Sequence, residues 1–129
     1  MMLTKKSIFS AIPVFVLLCA FQATDINSIV IQALKSNNAK ALTKSFSSSI
    51  TLSINREEQV VTRFQGELLL SDFFRQHKIT EVKRVTAAGN SPSNRYFIYS
   101  IKTTKRNFRV LVKVIELKGA ASISELRIE

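Results

Sequence analysis

The segment GELLLSDFFRQH, residues 66–77, holds the side chains best suited to acid–base chemistry, because it contains Asp72 and the only histidine of the chain, His77. A carboxylate and an imidazole form a general acid–base pair only when both reach one substrate atom. On a helix, a spacing of five residues separates the two side chains by about 140°. The spacing therefore favours pairing of Asp72 with Arg75 or Gln76, and it places His77 at the helix end with a structural role.

The rest of the sequence lacks the other common catalytic and metal-binding patterns. Glu57 and Glu58 are neighbours in a predicted turn, so their carboxylates point apart instead of converging on one atom. A single histidine excludes a multi-histidine metal site, and no serine stands in a Gly-x-Ser-x-Gly motif. Only three glycines are present, and they form no glycine-rich phosphate loop. We therefore predict no catalytic residue, no metal site and no cofactor.

The N-terminal residues have the composition of a secretory signal peptide. Two lysines precede an apolar run of 14 residues, 8–21, and Gln22 and the small Ala23 follow it. Because a helix needs about 20 apolar residues to span a bilayer, a signal peptide at residues 1–23 is favoured over a retained membrane anchor. Cys19 raises the alternative of a lipoprotein signal, but the large Leu18 before it argues against a lipid anchor. The exact cleavage site stays open by a few residues.

The mature chain, residues 24–129, has the length of one domain, and its basic residues are unevenly distributed. Between Arg75 and Lys113 there are ten lysines and arginines but only one acidic residue. Four of these cations crowd the tip of one predicted hairpin: Lys102, Lys105, Arg106 and Arg109. Because export is predicted, nucleic acid is not an expected partner, and an anionic surface is the alternative. Solvated lysines that keep strand edges from aggregating would have the same composition.

Apolar periodicity predicts the elements that position these side chains. Three segments repeat apolar residues every three or four positions, as helices do: DINSIVIQALKS, NAKALTKSF and the opening segment. Five segments alternate or are rich in β-branched and aromatic residues, as strands are: SSITLSI, ITEVKRVTA, RYFIYSIKTT, NFRVLVKVIEL and SISELRIE. Short turns separate the last four, which favours an antiparallel meander. We predict an α+β fold with three N-terminal helices packed on a curved antiparallel sheet of four to five strands.

Several of these segments resemble one known family. The stretches that carry the resemblance are IQALKSNNAKALTKSFSSSITLSI, LLSDFFRQH, NFRVLVKVIEL and the closing ELRIE. They are similar to DUF4783, a family of small exported Bacteroidetes proteins in the NTF2-like (cystatin-like) superfamily, over nearly all of residues 25–129. The resemblance implies a cone in which helices fold against a bent sheet, often with a pocket between them. It implies no activity, and no catalytic position of the superfamily's ketosteroid isomerases or dehydratases can be matched to a residue here.

These observations favour a non-enzymatic module of the periplasm or cell envelope that binds a small apolar ligand or a protein partner. A homodimer is also compatible with them. The first alternative is an enzyme of the isomerase or dehydratase type, with an acid or base in the pocket drawn from Asp72, His77, Tyr96 and Tyr99. The second is a binder of anionic surfaces that acts through the basic hairpin.

Overall fold

A computed structural model describes residues 25–91, 94–117 and 119–129, and in them it contains three helices and six strands. The helices are α1 (Ile26–Lys35), α2 (Ala39–Thr43) and α3 (Arg63–Gln76). The strands are β1 (Phe46–Ile54), β2 (Glu57–Thr62), β3 (Ile79–Ser91), β4 (Asn94–Thr103), β5 (Asn107–Leu117) and β6 (Ala120–Ile128). The predicted signal peptide, with Cys19, lies outside the described residues. None of the described helices is long and apolar enough to cross a membrane.

Each helix begins at a side chain that satisfies backbone N–H groups of its first turn. Asp25 caps α1 and Asn38 caps α2. Thr62 and Gln65 form a reciprocal capping box at the start of α3. Because the first N–H groups of a helix have no partner within it, these caps fix where each helix starts.

The strands form one sheet in the order β2-β1-β6-β5-β4-β3. The predicted meander of β3, β4, β5 and β6 is present, with antiparallel pairing throughout. A two-residue turn, Asn55-Arg56, in which both residues have positive φ, joins β1 to β2. The register shifts repeatedly between β3 and β4, and such bulges bend a sheet.

The core lies between the helices and one face of this sheet. In β5 the alternate residues Phe108, Val110, Val112 and Val114 are all buried, as their spacing predicts. On α3 the buried side chains include Leu70, Phe73 and Phe74, while Leu69 is partly buried against them. The apolar stripe of the opening segment therefore closes the core against the sheet.

Part of the predicted architecture is wrong. Only α1 and α2 are N-terminal, since α3 follows the β1–β2 hairpin, and the sheet has six strands instead of four to five. It is also not wholly antiparallel, because β1 and β6 are parallel. The sixth strand, β2, has five of its six residues exposed, so its sequence shows no apolar alternation. The parallel pair joins the two ends of the domain, and local periodicity carries no information about such a contact.

Candidate functional site

A groove of about 250 Å³ lies between α3 and the β1–β2 hairpin. Its apolar lining consists of Leu52, Ile54, Leu69 and Phe73. Its polar lining consists of Asn55, Glu57, Gln59, Asp72, Gln76 and His77. Pockets for drug-sized ligands have volumes of about 300–1,000 Å³. The groove is smaller than this range, so it suits a molecule below drug size with an apolar body and a few polar groups.

The spacing of residues along each element builds this groove. Leu69, Asp72 and Gln76 lie three and four positions apart, so they share one side of α3. Across from them, Leu52 and Ile54 of β1 alternate onto the helix-facing side of the sheet. These residues of α3 and β1 lie close together because α3 packs against the β1–β2 hairpin.

His77 ends α3 and forms one wall of the groove. Its ring stacks on Phe73 with 4.7 Å between centroids and meets the Phe108 ring edge-on at 5.2 Å. The Nδ1 atom is buried and has no hydrogen-bond partner in the described part of the chain. Buried polar atoms are nearly always paired, so Nδ1 is an exception, and because it is buried it has no surface open to the groove. The predicted place at the helix end is confirmed.

Asp72 also lines the groove, but its carboxylate is already engaged on the helix. It accepts hydrogen bonds from the Arg75 guanidinium and, at 3.0 Å, from the Gln76 amide. This is the pairing that the sequence predicts. Within the described residues no hydrogen bond joins Asp72 to His77, although both border the same groove.

The two tyrosines considered as acid or base candidates lie away from the groove. Tyr99 is fully buried, and its hydroxyl donates to Asn27 Oδ1 at 2.6 Å. Burial raises the pKa of Tyr99 well above its usual value; nearby Arg84 opposes this shift. Tyr96 projects from the opposite face of β4, where the Lys113 ammonium lies 5.7 Å from its ring centroid. The four candidates therefore do not converge on one site.

The basic hairpin is at the tip between β4 and β5, and its four cations have different surroundings. Lys102 lies 3.8 Å from Glu81, across to β3. The Arg106 guanidinium stacks on the Phe108 ring at 3.9 Å. Lys105 and Arg109 are exposed. Two of the four cations are thus partly committed to neighbours within the fold.

The fold adds a further arginine to this hairpin that the sequence did not point to. Arg106 donates to Asn55 Oδ1 at 3.1 Å, which brings the β1–β2 turn beside the hairpin tip. Arg56 of that turn, together with Glu129, borders the same recess of about 230 Å³. The cluster was missed because its two halves are far apart in the sequence.

No candidate metal site is formed by residues 25–91, 94–117 and 119–129. These residues contain no cluster of three or more histidine, cysteine, aspartate or glutamate side chains arranged to hold a metal ion.

Two N-terminal helices, the β1–β2 hairpin, the helix α3 and a curved meander make up an α+β domain, and NTF2-like proteins are among its structural neighbours. An NTF2-like protein of unknown function from Cytophaga hutchinsonii has a TM-score of 0.55 at 17% identity, with 81% of this chain and 86% of that one covered. Residues 27–129 match the model of the domain of unknown function DUF4783. The chain belongs to this family.

Solved DUF4783 structures share the fold. A protein from Bacteroides uniformis has a TM-score of 0.76 at 23% identity, covering 81% of this chain and 96% of its own. One from Bacteroides ovatus has a TM-score of 0.73 at 22% identity, covering 78% and 91%. No functionally curated protein matches the sequence. The family therefore supplies the fold and no activity.

Proposed function

We propose that the protein is an exported, non-enzymatic binding module of the cell envelope, and that the groove between α3 and the β1–β2 hairpin holds a small ligand. The observation that carries this proposal is the apolar floor of Leu69 and Phe73, bordered by polar side chains that include Gln76 and His77. The apolar body of such a ligand would cover Leu69 and Phe73, and its polar groups would meet the polar side chains of the lining.

The groove supports binding better than catalysis. A general acid or base must be able to reach the substrate with its reactive group uncommitted. The Asp72 carboxylate is held by Arg75 and Gln76, and the Tyr99 hydroxyl is buried against Asn27. Among the described residues, no carboxylate is hydrogen-bonded to the His77 imidazole to orient it. This arrangement favours a ligand-binding role over the isomerase or dehydratase alternative.

Export rests on the N-terminal sequence alone. The two lysines, the short apolar run and the small Ala23 before Thr24 are the parts of a signal peptide. The hydrophobic content of the whole chain, 46%, includes this segment. The exposed surface of the domain that follows is rich in lysine and arginine. A basic, cysteine-free mature domain needs no disulfide to function outside the cytoplasm.

Native mass spectrometry of the protein purified from the envelope fraction tests both parts of the proposal. The wild type should start near residue 24 and carry a co-purified small molecule. Leu69→Arg, which places a charge on the apolar floor, should remove that molecule. Ser71→Arg is the matched control, because Ser71 is exposed on the same helix and does not line the groove. Equal ligand occupancy in Leu69→Arg, or an unprocessed N-terminus, would contradict the corresponding part.

A second function is favoured by the meeting of Arg56 and Arg106 beside Lys105. If this cluster binds anionic surfaces, the protein should sediment with phosphatidylglycerol vesicles, and the bound fraction should fall steeply with salt. Lys105→Glu with Arg106→Glu should abolish sedimentation. The control pair Lys35→Glu and Lys44→Glu changes charge equally at two exposed positions, the end of α1 and the C-cap of α2. Equal loss in both double variants would show that net charge, and not this hairpin, attracts the vesicles.

A further inference from the structure

The charged side chains that line the groove are all acidic. Glu57 and Asp72 border it, and no lysine or arginine of the described residues does so. The whole chain has 19 lysines and arginines but only 9 acidic residues, so its composition alone would favour a cation in any concave surface. The sign of the charge in the groove is therefore opposite to the net charge of the protein.

Asp72 is paired within α3, and this pairing leaves an acceptor free beside it. Its carboxylate accepts hydrogen bonds from the Arg75 guanidinium and from the Gln76 amide nitrogen. A side-chain amide has a donor nitrogen and an acceptor oxygen. Because the nitrogen of Gln76 is used by Asp72, its oxygen Oε1 is the atom that remains for a ligand, and it accepts no hydrogen bond from a described residue.

Glu57 supplies the unpaired negative charge of the groove. Glu57, Gln59 and Val61 alternate onto the helix side of β2, where Val61 is buried and the other two line the groove. No lysine or arginine of the described residues forms an ion pair with the Glu57 carboxylate. The neighbouring Glu58 points to the opposite face of the sheet, where Arg127 binds it at 2.8 Å. Glu57 is therefore the carboxylate with which a ligand can pair.

We propose that the groove binds an amphipathic cation, with a primary ammonium group on a small apolar body. This inference rests on the ligand-binding role proposed for the groove. An ammonium has three N–H donors and no acceptor, so its donors match the Glu57 carboxylate and Gln76 Oε1. The apolar body covers Leu69 and Phe73. A carboxylate ligand would instead place its charge beside Glu57 with no cation in the described lining to offset the repulsion.

Cations elsewhere on the domain affect the groove less than its own lining does. Arg56 and Arg106 border a separate recess, which shares only Asn55 with the groove among the described residues. Salt screens charges over about 8 Å at physiological ionic strength, whereas a bound ammonium contacts Glu57 directly. Because Glu57 is exposed, the gain is that of a surface ion pair. The expected preference for a cation is therefore several-fold and not larger.

Three probes with the same ring and a similar chain test the sign of the charge: phenethylamine, phenylethanol and phenylpropionate, which are positive, neutral and negative at neutral pH. Amide shifts of Leu69, Phe73 and His77 in the ¹⁵N-labelled mature protein report binding at the groove. Phenethylamine should bind about threefold more tightly than phenylethanol and about tenfold more tightly than phenylpropionate. Equal or tighter groove binding of either other probe would overturn the ammonium preference and leave the groove itself supported. If no probe shifts these amides, both the groove and the inference are contradicted.

Charge variants at two adjacent residues show which carboxylate is responsible. Glu57→Gln and Glu58→Gln remove the same charge from exposed positions, but only Glu57 lines the groove. Glu57→Gln should abolish the preference for phenethylamine over phenylethanol, and Glu58→Gln should keep it. Glu57→Lys should reverse the order, so that phenylpropionate binds more tightly than phenethylamine. An unchanged preference in Glu57→Gln, or an equal loss in both glutamine variants, would overturn the proposal.

Discussion

Among single residues, Tyr99 couples stability to alkaline pH. Its hydroxyl is buried against Asn27, and burial raises its pKa above the value near 10 of an unfolded tyrosine. Above about pH 10 the unfolded chain therefore loses a proton that the folded chain keeps, so the folded state loses stability as pH rises. The loss approaches about 1.4 kcal/mol per pH unit from this group.

Urea unfolding of wild type and Tyr99→Phe at pH 8, 10 and 11 isolates the effect. At pH 8, Tyr99→Phe should be less stable by about 1 kcal/mol, because the variant leaves the Asn27 oxygen without its donor. The difference should shrink and then reverse as pH rises. Parallel pH profiles for the two proteins would show that Tyr99 ionises equally in both states.

The unpaired Nδ1 atom of His77 should lower the stability of the ligand-free protein. Phenylalanine at this position keeps the stack on Phe73 and removes the unpaired Nδ1. The ligand-free His77→Phe variant should therefore be as stable as the wild type, or more stable by up to about 1 kcal/mol. His77→Ala, which deletes the ring contacts, should be destabilised. Thermal unfolding of the ligand-free proteins measures both changes, and a large loss in His77→Phe would reveal a structural partner for the imidazole.

The roles of single side chains were partly predictable. Asp72 pairs with Arg75 and Gln76 as helical spacing requires, because that contact is local. The setting of His77 was not predictable, because Phe108 comes from β5. The same limit applies to Arg56, which reaches the basic hairpin only through the β1–β2 turn.

Among the secondary-structure elements, the α1–α2 hairpin is fastened to the sheet through one side chain. Asn37 has a φ of 53° between the two helices. Its amide accepts from the Ile79 backbone N–H at 2.8 Å and donates to the Ile79 carbonyl at 3.2 Å. These paired bonds hold the helical hairpin at the first residue of β3.

Removing this clamp should destabilise the domain without unfolding the helices. Asn37→Gly keeps the left-handed backbone and loses both bonds, which should cost about 1–3 kcal/mol. Asn38→Ser is a suitable control, because it changes the neighbouring asparagine but preserves an N-cap for α2. Urea unfolding measures the difference. An unchanged free energy of unfolding in Asn37→Gly would mean that water replaces the clamp at no cost.

The elements themselves were largely predictable, and their arrangement was less so. Apolar spacing gave α1, α2, α3 and the meander, since each buries a regular stripe. β2 was missed because an exposed edge strand has no such stripe. Gly66, inside α3, has a packing role, because a Cβ there would lie 3.1 Å from the buried Phe46 ring.

At the scale of the whole molecule, two surfaces of one small domain are proposed as binding sites. One is the groove, for a small ligand, and the other is the basic hairpin, for anionic surfaces.

The binding groove is the central claim, and an NMR titration tests it most directly. Amide shifts of ¹⁵N-labelled residues 24–129 are followed while small amphipathic fragments, each with one aromatic ring and one polar group, are added. We predict that at least one fragment shifts the amides of Leu69, Phe73 and His77, and that the same fragment leaves those amides unmoved in Leu69→Arg. Fragments that bind only elsewhere, or none that moves the groove amides at millimolar concentration, would contradict the account.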